Sequence, residues 1–465
     1  MPSPDFLAKT EITKGAPFAG TATVMDIISK ANETVLTILG KPKAAASGYR
    51  LLHFCAEHRV DEGILLYNLL TKELVLLTEE ENNRLTELDY LKDHWFVVPQ
   101  ETKDREYADL VKWVVMTRQK KSDIITNYTI FTTTDCNARC FYCFELGRSR
   151  IPMSKETALK VVQYIKNHCG GKKVNISWFG GEPLFNMEAI DIICNGLRQQ
   201  GVEYASTMVT NGYLFDDVAV QKAVENWNLK KVQISLDGTE AVYNKAKAYI
   251  YKEGNPYQIV LDNIGRLLDA AITVRIRLNM DLYNAQNLLL LVDELARRFS
   301  GKSGIYIYAH HLFDINQPMA ELHNDQGWTQ RSEAMRVLTE KIAEYNMAER
   351  QGIEKNIKMH HCMADSGNAV TIAPTGDIGL CEHFSEDEFI GHIDTEGFDS
   401  KVVASWKETS PEIPECAECF AYPACIRLKK CTNEAVCFPL LRQGKLRKTK
   451  REMQYEFEQW KNKND

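Results

Sequence analysis

Residues 128–143 read Tyr-Thr-Ile-Phe-Thr-Thr-Thr-Asp-Cys-Asn-Ala-Arg-Cys-Phe-Tyr-Cys. A β-rich run over Tyr128–Thr133 breaks into a loop that carries Cys136, Cys140 and Cys143. Downstream the same rhythm repeats. Strands are predicted at Val174–Trp178, Tyr204–Thr210, Lys231–Ser235, Thr273–Asn279 and Ile305–Ala309. Helices are predicted at Ser154–His168, Met187–Gln200, Asp216–Asn228, Tyr257–Ala270, Asn284–Phe299 and Thr329–Gln351. Six strand–helix units imply a parallel sheet with its helices outside. Six units fall short of the eight that close a barrel, so the reading is a partial (β/α)6 barrel with an open side. In such sheets chemistry sits at the carboxyl ends of the strands, where the three cysteines lie.

The rest of the chain flanks this core. Within 1–120, GILLYNLLTKELVLL reads as two strands around a turn at Thr71–Lys72. TEEENNRLTEL reads as a helix with Thr78 as N-cap and Glu81 closing a capping box. A further helix is predicted over Asp104–Arg118, and together these suggest a winged-helix-like domain. The domains are set at 1–120, 121–350 and 351–465. The 465 residues carry a net charge of −7, which argues against a general nucleic-acid binder. No apolar run reaches membrane-spanning or signal-peptide length. The expectation is a cytoplasmic protein with neither nucleic acid nor membrane as partner.

The 13 cysteines are uneven: three at 136–143, seven from Cys362 to Cys437, and Cys55, Cys169 and Cys194 alone. The lone three read as small apolar packing residues. Clusters in a reducing compartment point to metal. Three thiolates on one loop can bind three irons of a [4Fe–4S] cluster and leave the fourth open to the amino and carboxylate groups of S-adenosylmethionine (SAM). A zinc knuckle is the alternative. Arg275 and Arg277 share a strand face and point into the barrel, either to meet a carboxylate ligand or to form a structural ion pair.

The cysteine loop, Gly180-Gly181-Glu182-Pro183 after the second strand, Thr210-Asn211-Gly212 after the third and Ser235-Leu-Asp237-Gly238 after the fourth together resemble the radical SAM superfamily over about 128–310. The resemblance implies a SAM site built from Tyr142, Gly180, Gly181, Glu182, Asn211, Ser235 and Lys247. Lys247 stands where many relatives carry Arg. It also implies that a 5′-deoxyadenosyl radical starts the chemistry, with electrons from a flavodoxin or ferredoxin.

Cys362, Cys381, Cys416-x2-Cys419-x5-Cys425, Cys431 and Cys437 resemble the SPASM extension, whose two auxiliary clusters would bring the total to three [4Fe–4S] clusters. Five residues separate Cys425 from Cys431, where the resembled pattern has three. By resemblance Cys362, Cys381 and Cys431 hold the nearer auxiliary cluster, and Cys416, Cys419, Cys425 and Cys437 the outer one. A structural zinc ribbon is the alternative. No cysteine lies in Glu354–His361, so the nearer cluster has an open iron. His360 or His361, water, or a substrate thiol could fill it. Glu382, next to Cys381, matches the place of a proton acceptor in sulfatase maturases, or is a solvated loop residue.

SPASM proteins resemble one another in modifying peptides or proteins. Residues 48–120 loosely resemble a leader-recognition domain that pairs a precursor peptide's leader as an added strand. About 130 residues precede the cysteine loop, unlike sulfatase maturases. The stretch YNKAKAYIYKEGNPYQIVLDNI resembles thioether-forming maturases of sactipeptides and ranthipeptides. The resemblance therefore implies a maturase that installs thioether crosslinks in a ribosomally made peptide. C–C crosslinking, epimerisation, sulfatase-type maturation and a non-catalytic zinc scaffold stay open.

Overall fold

The computed structural model describes residues 25–118, 123–143, 145, 147, 149–312, 326–383, 388–431, 437 and 439–464. The stretch before Met25 and the middle of the 382–388 loop lie outside the described residues. Two compact units emerge: residues 122–349 with 362–408, and residues 1–121 with 350–361 and 409–465.

The second of these units begins with β1 (Asp26–Ser29), β2 (Tyr49–Leu51), β3 (Cys55–Val60), β4 (Gly63–Asn68), β5 (Glu73–Leu77) and β6 (Val97–Pro99). An antiparallel sheet runs β1-β5-β4-β3, and β2 pairs with β6. The predicted turn is present, with Lys72 in the left-handed region at φ 66°. The Thr78 capping box also forms: Thr78 Oγ1 accepts from Glu81 N at 3.2 Å, and Glu81 accepts from Thr78 N at 2.9 Å. Each bond satisfies an otherwise orphaned helix-start donor. The apolar faces of this sheet and of helix Asp104–Arg118 do not close a core alone. Leu65, Leu74, Trp95 and Val111 pack with Ile353, Met453 and Phe457, the last two from the C-terminal helix Pro439–Asn464.

In the other unit, the six predicted strands appear as β7 (Asn127–Thr133), β8 (Val174–Gly180), β9 (Tyr204–Thr210), β10 (Leu229–Leu236), β11 (Thr273–Met280) and β12 (Ile305–His311). They pair in parallel in chain order, giving the open six-stranded barrel. Ser154 and Asp216 are side-chain N-caps of the helices after β7 and β9, which fixes where each crossover turns back. On β11, Val274, Ile276 and Leu278 are fully buried while Arg275 and Arg277 alternate to the other face. A hairpin of β13 (Ala369–Ile372) and β14 (Asp377–Gly379) adds to the same sheet: β13 lies parallel beside β7. A short β15 (Gly391–His392) pairs with β14, so the sheet has nine strands among the described residues.

Candidate active site at the carboxyl ends of the strands

The cysteine loop leaves β7 at Thr133, whose Oγ1 accepts from Asp135 N at 2.9 Å. The Ala138 amide points at Cys136 Sγ, 3.3 Å away. Burial pushes the Cys136 thiol up to about 12 and raises Cys140 and Cys143 as well. Three such thiols become thiolates when a metal replaces their protons. Asn137, between the first two cysteines, is fully buried, and its Nδ2 has no hydrogen-bond partner among the described residues. A cluster sulfur would satisfy that donor, so the loop fits an iron–sulfur group. Among the described residues no three Cys, His, Asp or Glu side chains are close enough to share one metal ion.

The two glycines after β8 have a local reason. Gly180 sits at φ +119°, and a Cβ there would come within 2.1 Å of the Thr133 carbonyl. At Gly181 it would come within 2.3 Å of the Asp135 carbonyl. Only glycine lets β8 end flush against the cysteine loop. Gly181 N then donates to Thr133 O at 3.1 Å and Glu182 N to Asp135 O at 2.9 Å.

Glu182 is wholly buried, and its carboxylate is saturated. It accepts from Asn211 N at 2.8 Å, Thr210 Oγ1 at 2.9 Å and Leu184 N at 3.2 Å. Burial raises it to about 7, against the lowering pull of these donors. Its side chain thus ties the end of β8 to the end of β9. Asn211 continues the chain of contacts, donating to Asn137 Oδ1 at 2.6 Å and lying 3.7 Å from Cys136 Sγ.

Lys247 closes the far side. It ends helix Glu240–Lys247, and the backbone escapes through Ala248 in the left-handed region at φ 46°. The buried ammonium donates to Ser235 Oγ at 2.7 Å and to Tyr142 Oη at 2.9 Å, and it forms an ion pair with Asp237 Oδ2 at 3.3 Å. Burial alone would lower its pKa. Asp237, Tyr142 and Cys140 outweigh that and hold it well above the usual amine range. Tyr142 donates to Asp237 Oδ1 at 2.7 Å, and Asn279 Nδ2 donates to the same oxygen at 3.0 Å. The Lys247 carbonyl accepts from Arg139 N at 2.8 Å, so this residue also anchors the cysteine loop.

Tyr142, Gly180, Gly181, Glu182, Asn211, Ser235 and Lys247 are therefore brought to the loop of Cys136, Cys140 and Cys143. Asp237, Asn137 and Asn279 join them without having been singled out as binding residues. Ser235 and Asp237 are two apart at a strand end, a spacing that could have flagged the aspartate. The two arginines of β11 part ways. Arg275 Nη2 forms an ion pair with Glu349 at 2.9 Å, the structural alternative, whereas Arg277 Nη2 meets His310 Nδ1 at 3.0 Å. Glu382 is half-buried in the loop after Cys381. Cys169 and Cys194 are buried, as packing residues should be.

The C-terminal thiols divide by unit. Cys362 and Cys381 belong with the barrel; Cys416, Cys419, Cys425, Cys431 and Cys437 belong with the N-terminal sheet. Within that second unit, burial raises Cys419 and Cys437, and Cys425 is close enough to raise both further. Arg427 lies 3.9 Å from Cys416 Sγ and also lowers Cys437. Cys419, Cys425 and Cys437 thus act on one another, and Arg427 reaches both Cys416 and Cys437.

Residues 130–289 match the model of the Radical SAM superfamily. The chain carries a radical SAM domain. It is 29% identical over 167 residues to the probable GTP 3′,8-cyclase of Archaeoglobus fulgidus, covering 36% of this chain and 52% of that one. It thus spans about half the length of that curated relative. Among solved structures it resembles anSMEcpe with bound AdoMet and Cp18Cys peptide, with a TM-score of 0.53, 16% identity, and coverage of 73% of this chain and 98% of that one. It also resembles Streptococcus suis SuiB bound to the precursor peptide SuiA, with a TM-score of 0.50, 12% identity, and coverage of 84% and 99%. At these identities the likeness is one of fold. Among the described residues no helix is long and apolar enough to cross a membrane.

Proposed function

We propose that this radical SAM enzyme is a peptide maturase that forms thioether bonds between a substrate cysteine sulfur and a carbon of the same peptide. The observation that carries this reading is a second set of thiols, Cys419, Cys425 and Cys437 acting on one another with Cys416 beside Arg427, in a chain whose barrel already has a cysteine triad. Support comes from the fold shared with anSMEcpe and SuiB, both solved with peptides.

In this reading Cys136, Cys140 and Cys143 hold a [4Fe–4S] cluster that, with SAM, supplies a 5′-deoxyadenosyl radical to take a hydrogen from the acceptor carbon. The protein's own contribution is placement and charge. Lys247 is the cation for the SAM carboxylate, and it exchanges its Ser235 contact for that partner. Ser235 is thereby freed for the ribose. Asp237 and Tyr142 keep the ammonium charged and aimed. Glu182, saturated by protein donors, acts on SAM by fixing the backbone of Gly180 and Gly181. Glu382 accepts the thiol or carbon-acid proton, and the C-terminal cysteines would hold the auxiliary clusters able to take up the surplus electron. The leader of a precursor peptide is read by the N-terminal sheet, and a flavodoxin or ferredoxin supplies the first electron.

Coexpression with a short cysteine-containing peptide encoded nearby tests this. The peptide should lose two hydrogens per bond and one alkylatable thiol with each. An unchanged mass, with SAM cleavage intact, would exclude thioether formation. The similarity to GTP 3′,8-cyclase favours a second reading, nucleotide cyclisation. Turnover of GTP by the reduced enzyme would select it.

A further inference from the structure

We propose that Arg277 binds a carboxylate of the substrate peptide inside the barrel. This rests on the reading of the chain as a peptide maturase and names a group by which that substrate is held. Strand residues two apart share a face, so Arg275, Arg277 and Asn279 make one inward row on β11. The strand register sets Arg277 between Ser235 of β10 and Tyr308 of β12. Ser235 is the hydroxyl that accepts from Lys247 at 2.7 Å, and Asn279 donates to Asp237 at 3.0 Å. Arg277 thus stands one strand from the candidate SAM site, within the same compact unit.

The charges in this row are not all matched. Arg275 pairs with Glu349 at 2.9 Å and lies over the Tyr308 ring, 4.8 Å from its centre. Arg277 is different. Among the described residues no carboxylate pairs with it, and its buried Nε has no hydrogen-bond partner. Its polar contact is His310 Nδ1, 3.0 Å from Nη2. That same nitrogen faces the His311 carbonyl at 2.8 Å. One ring nitrogen serves one of these two, so a guanidinium with five N–H groups has at most this single acceptor. Burial and the Arg277 charge hold His310 at about 4, so the imidazole is neutral at neutral pH and adds no second cation.

A half-buried guanidinium without a counter-charge is unfavourable in the unliganded protein. A carboxylate relieves this and fits the site. It brings one charge to one unmatched cation, and its two oxygens meet the planar N–H fork in pairs. A triphosphate would bring several charges to that one cation. Arg277 therefore selects peptides with an acidic side chain or a free C-terminus close to the reacting residue, and holds them one strand from Ser235.

The test measures peptide binding to the reconstituted full-length enzyme with SAM and no reductant. The probe is the cysteine-containing peptide encoded nearby. It is used as encoded, with Asp and Glu changed to Asn and Gln, with an amidated C-terminus, and with both changes. Arg277→Gln should weaken binding of the encoded peptide roughly 10–100-fold. The fully neutralised peptide should bind wild type and variant equally weakly. Arg277→Lys, which keeps the charge and loses the fork, should fall between. A loss that follows the side-chain amides assigns the carboxylate to Asp or Glu, and one that follows the C-terminal amide assigns it to the terminus. Phenylglyoxal labelling read by mass spectrometry gives a second measure: the encoded peptide should protect Arg277, and the neutralised one should not. Both wild-type comparisons decide the matter even where a variant fails to fold. Equal binding of charged and neutralised peptides to the wild type, or an equal loss for both in Arg277→Gln, overturns the proposal. So does SAM binding weakened as much as peptide binding, which would put the SAM carboxylate on Arg277. Failure of the maturase reading shows separately, as an unchanged mass of the coexpressed peptide.

Discussion

Changing Lys247 to Met removes the cation beside a carboxylate that the fold has buried completely. Asp237 and Lys247 side chains are 0% and 3% exposed, and their charges stand 3.3 Å apart. Methionine keeps most of the apolar stem, so lost packing contributes little. Breaking a buried pair by deleting one partner costs about 3–5 kcal/mol. Asp237 Oδ1 keeps its bonds from Tyr142 and Asn279, which places Lys247→Met toward the lower end, about 3 kcal/mol. Asp237→Asn leaves the ammonium with Ser235 and Tyr142 alone and should cost a similar amount. The double variant buries no unpaired charge, and its loss should fall short of the summed single losses by roughly 1.5–3 kcal/mol. The measurement is a double-mutant cycle on cluster-free protein by urea unfolding. Native-state hydrogen exchange over 229–250 then localises the effect. Strict additivity of the two single changes would show that this ammonium and carboxylate do not act on each other, and the account of Lys247 would fall.

Other outcomes follow from the same geometry. Glu182 has a folded pKa of about 7 against an ordinary 4.5, so the folded chain holds this proton more tightly than the unfolded one. That stabilisation is complete below pH 4.5 and is lost as pH rises through 7. The loss is about 3 kcal/mol in cluster-free protein, and Glu182→Gln should flatten the slope in a pH series of unfolding midpoints. Changing Cys136, Cys140 and Cys143 together to Ala should stop release of 5′-deoxyadenosine under dithionite and leave the auxiliary iron in place, as chromatography and metal analysis would show. Phe457→Ala, at a site 2% exposed, should cost about 3–5 kcal/mol, read as faster hydrogen exchange in β4 and β5. Glu382→Gln should lower product formation several-fold at unchanged SAM cleavage, and full product formation would remove its role as base.

The barrel was legible because its units carry two unambiguous periods. Alternation along β11 and the caps at Ser154 and Asp216 are written locally, and the observed strands match within a residue or two. The N-terminal sheet was legible at β4 and β5, whose apolar runs flank the turn at Thr71–Lys72; β3, whose residues alternate half-buried and exposed, was not read although it pairs with β4 across a tight turn. β1, β2 and β6 are short and draw their partners from afar: Tyr49 meets Pro99, and Asp26 meets Leu76. Nothing in the local sequence states such pairings. The sheet position of β13 beside β7 was hidden for the same reason. In the site, residues in motifs were found, whereas Asn137 and Asn279 were missed. Each is a single polar residue whose meaning depends on what folds over it. The glycines show a different gap: their positions were found, but the Thr133 and Asp135 carbonyls that demand them became visible only in three dimensions.

The core of the N-terminal unit is completed by Met453 and Phe457, and this constrains synthesis in time. The ribosome makes the sheet first and the helix that covers it about 340 residues later. At roughly 5–20 residues per second, the uncovered apolar face waits on the order of 20–70 s for its lid. During that interval the chain is a client for chaperones and a target for proteases, and any truncated product keeps the face exposed. The thiols Cys416 to Cys437 lie between barrel and lid in the sequence. Loading iron there after the chain is finished would let the cell mature only molecules that have already passed this folding check.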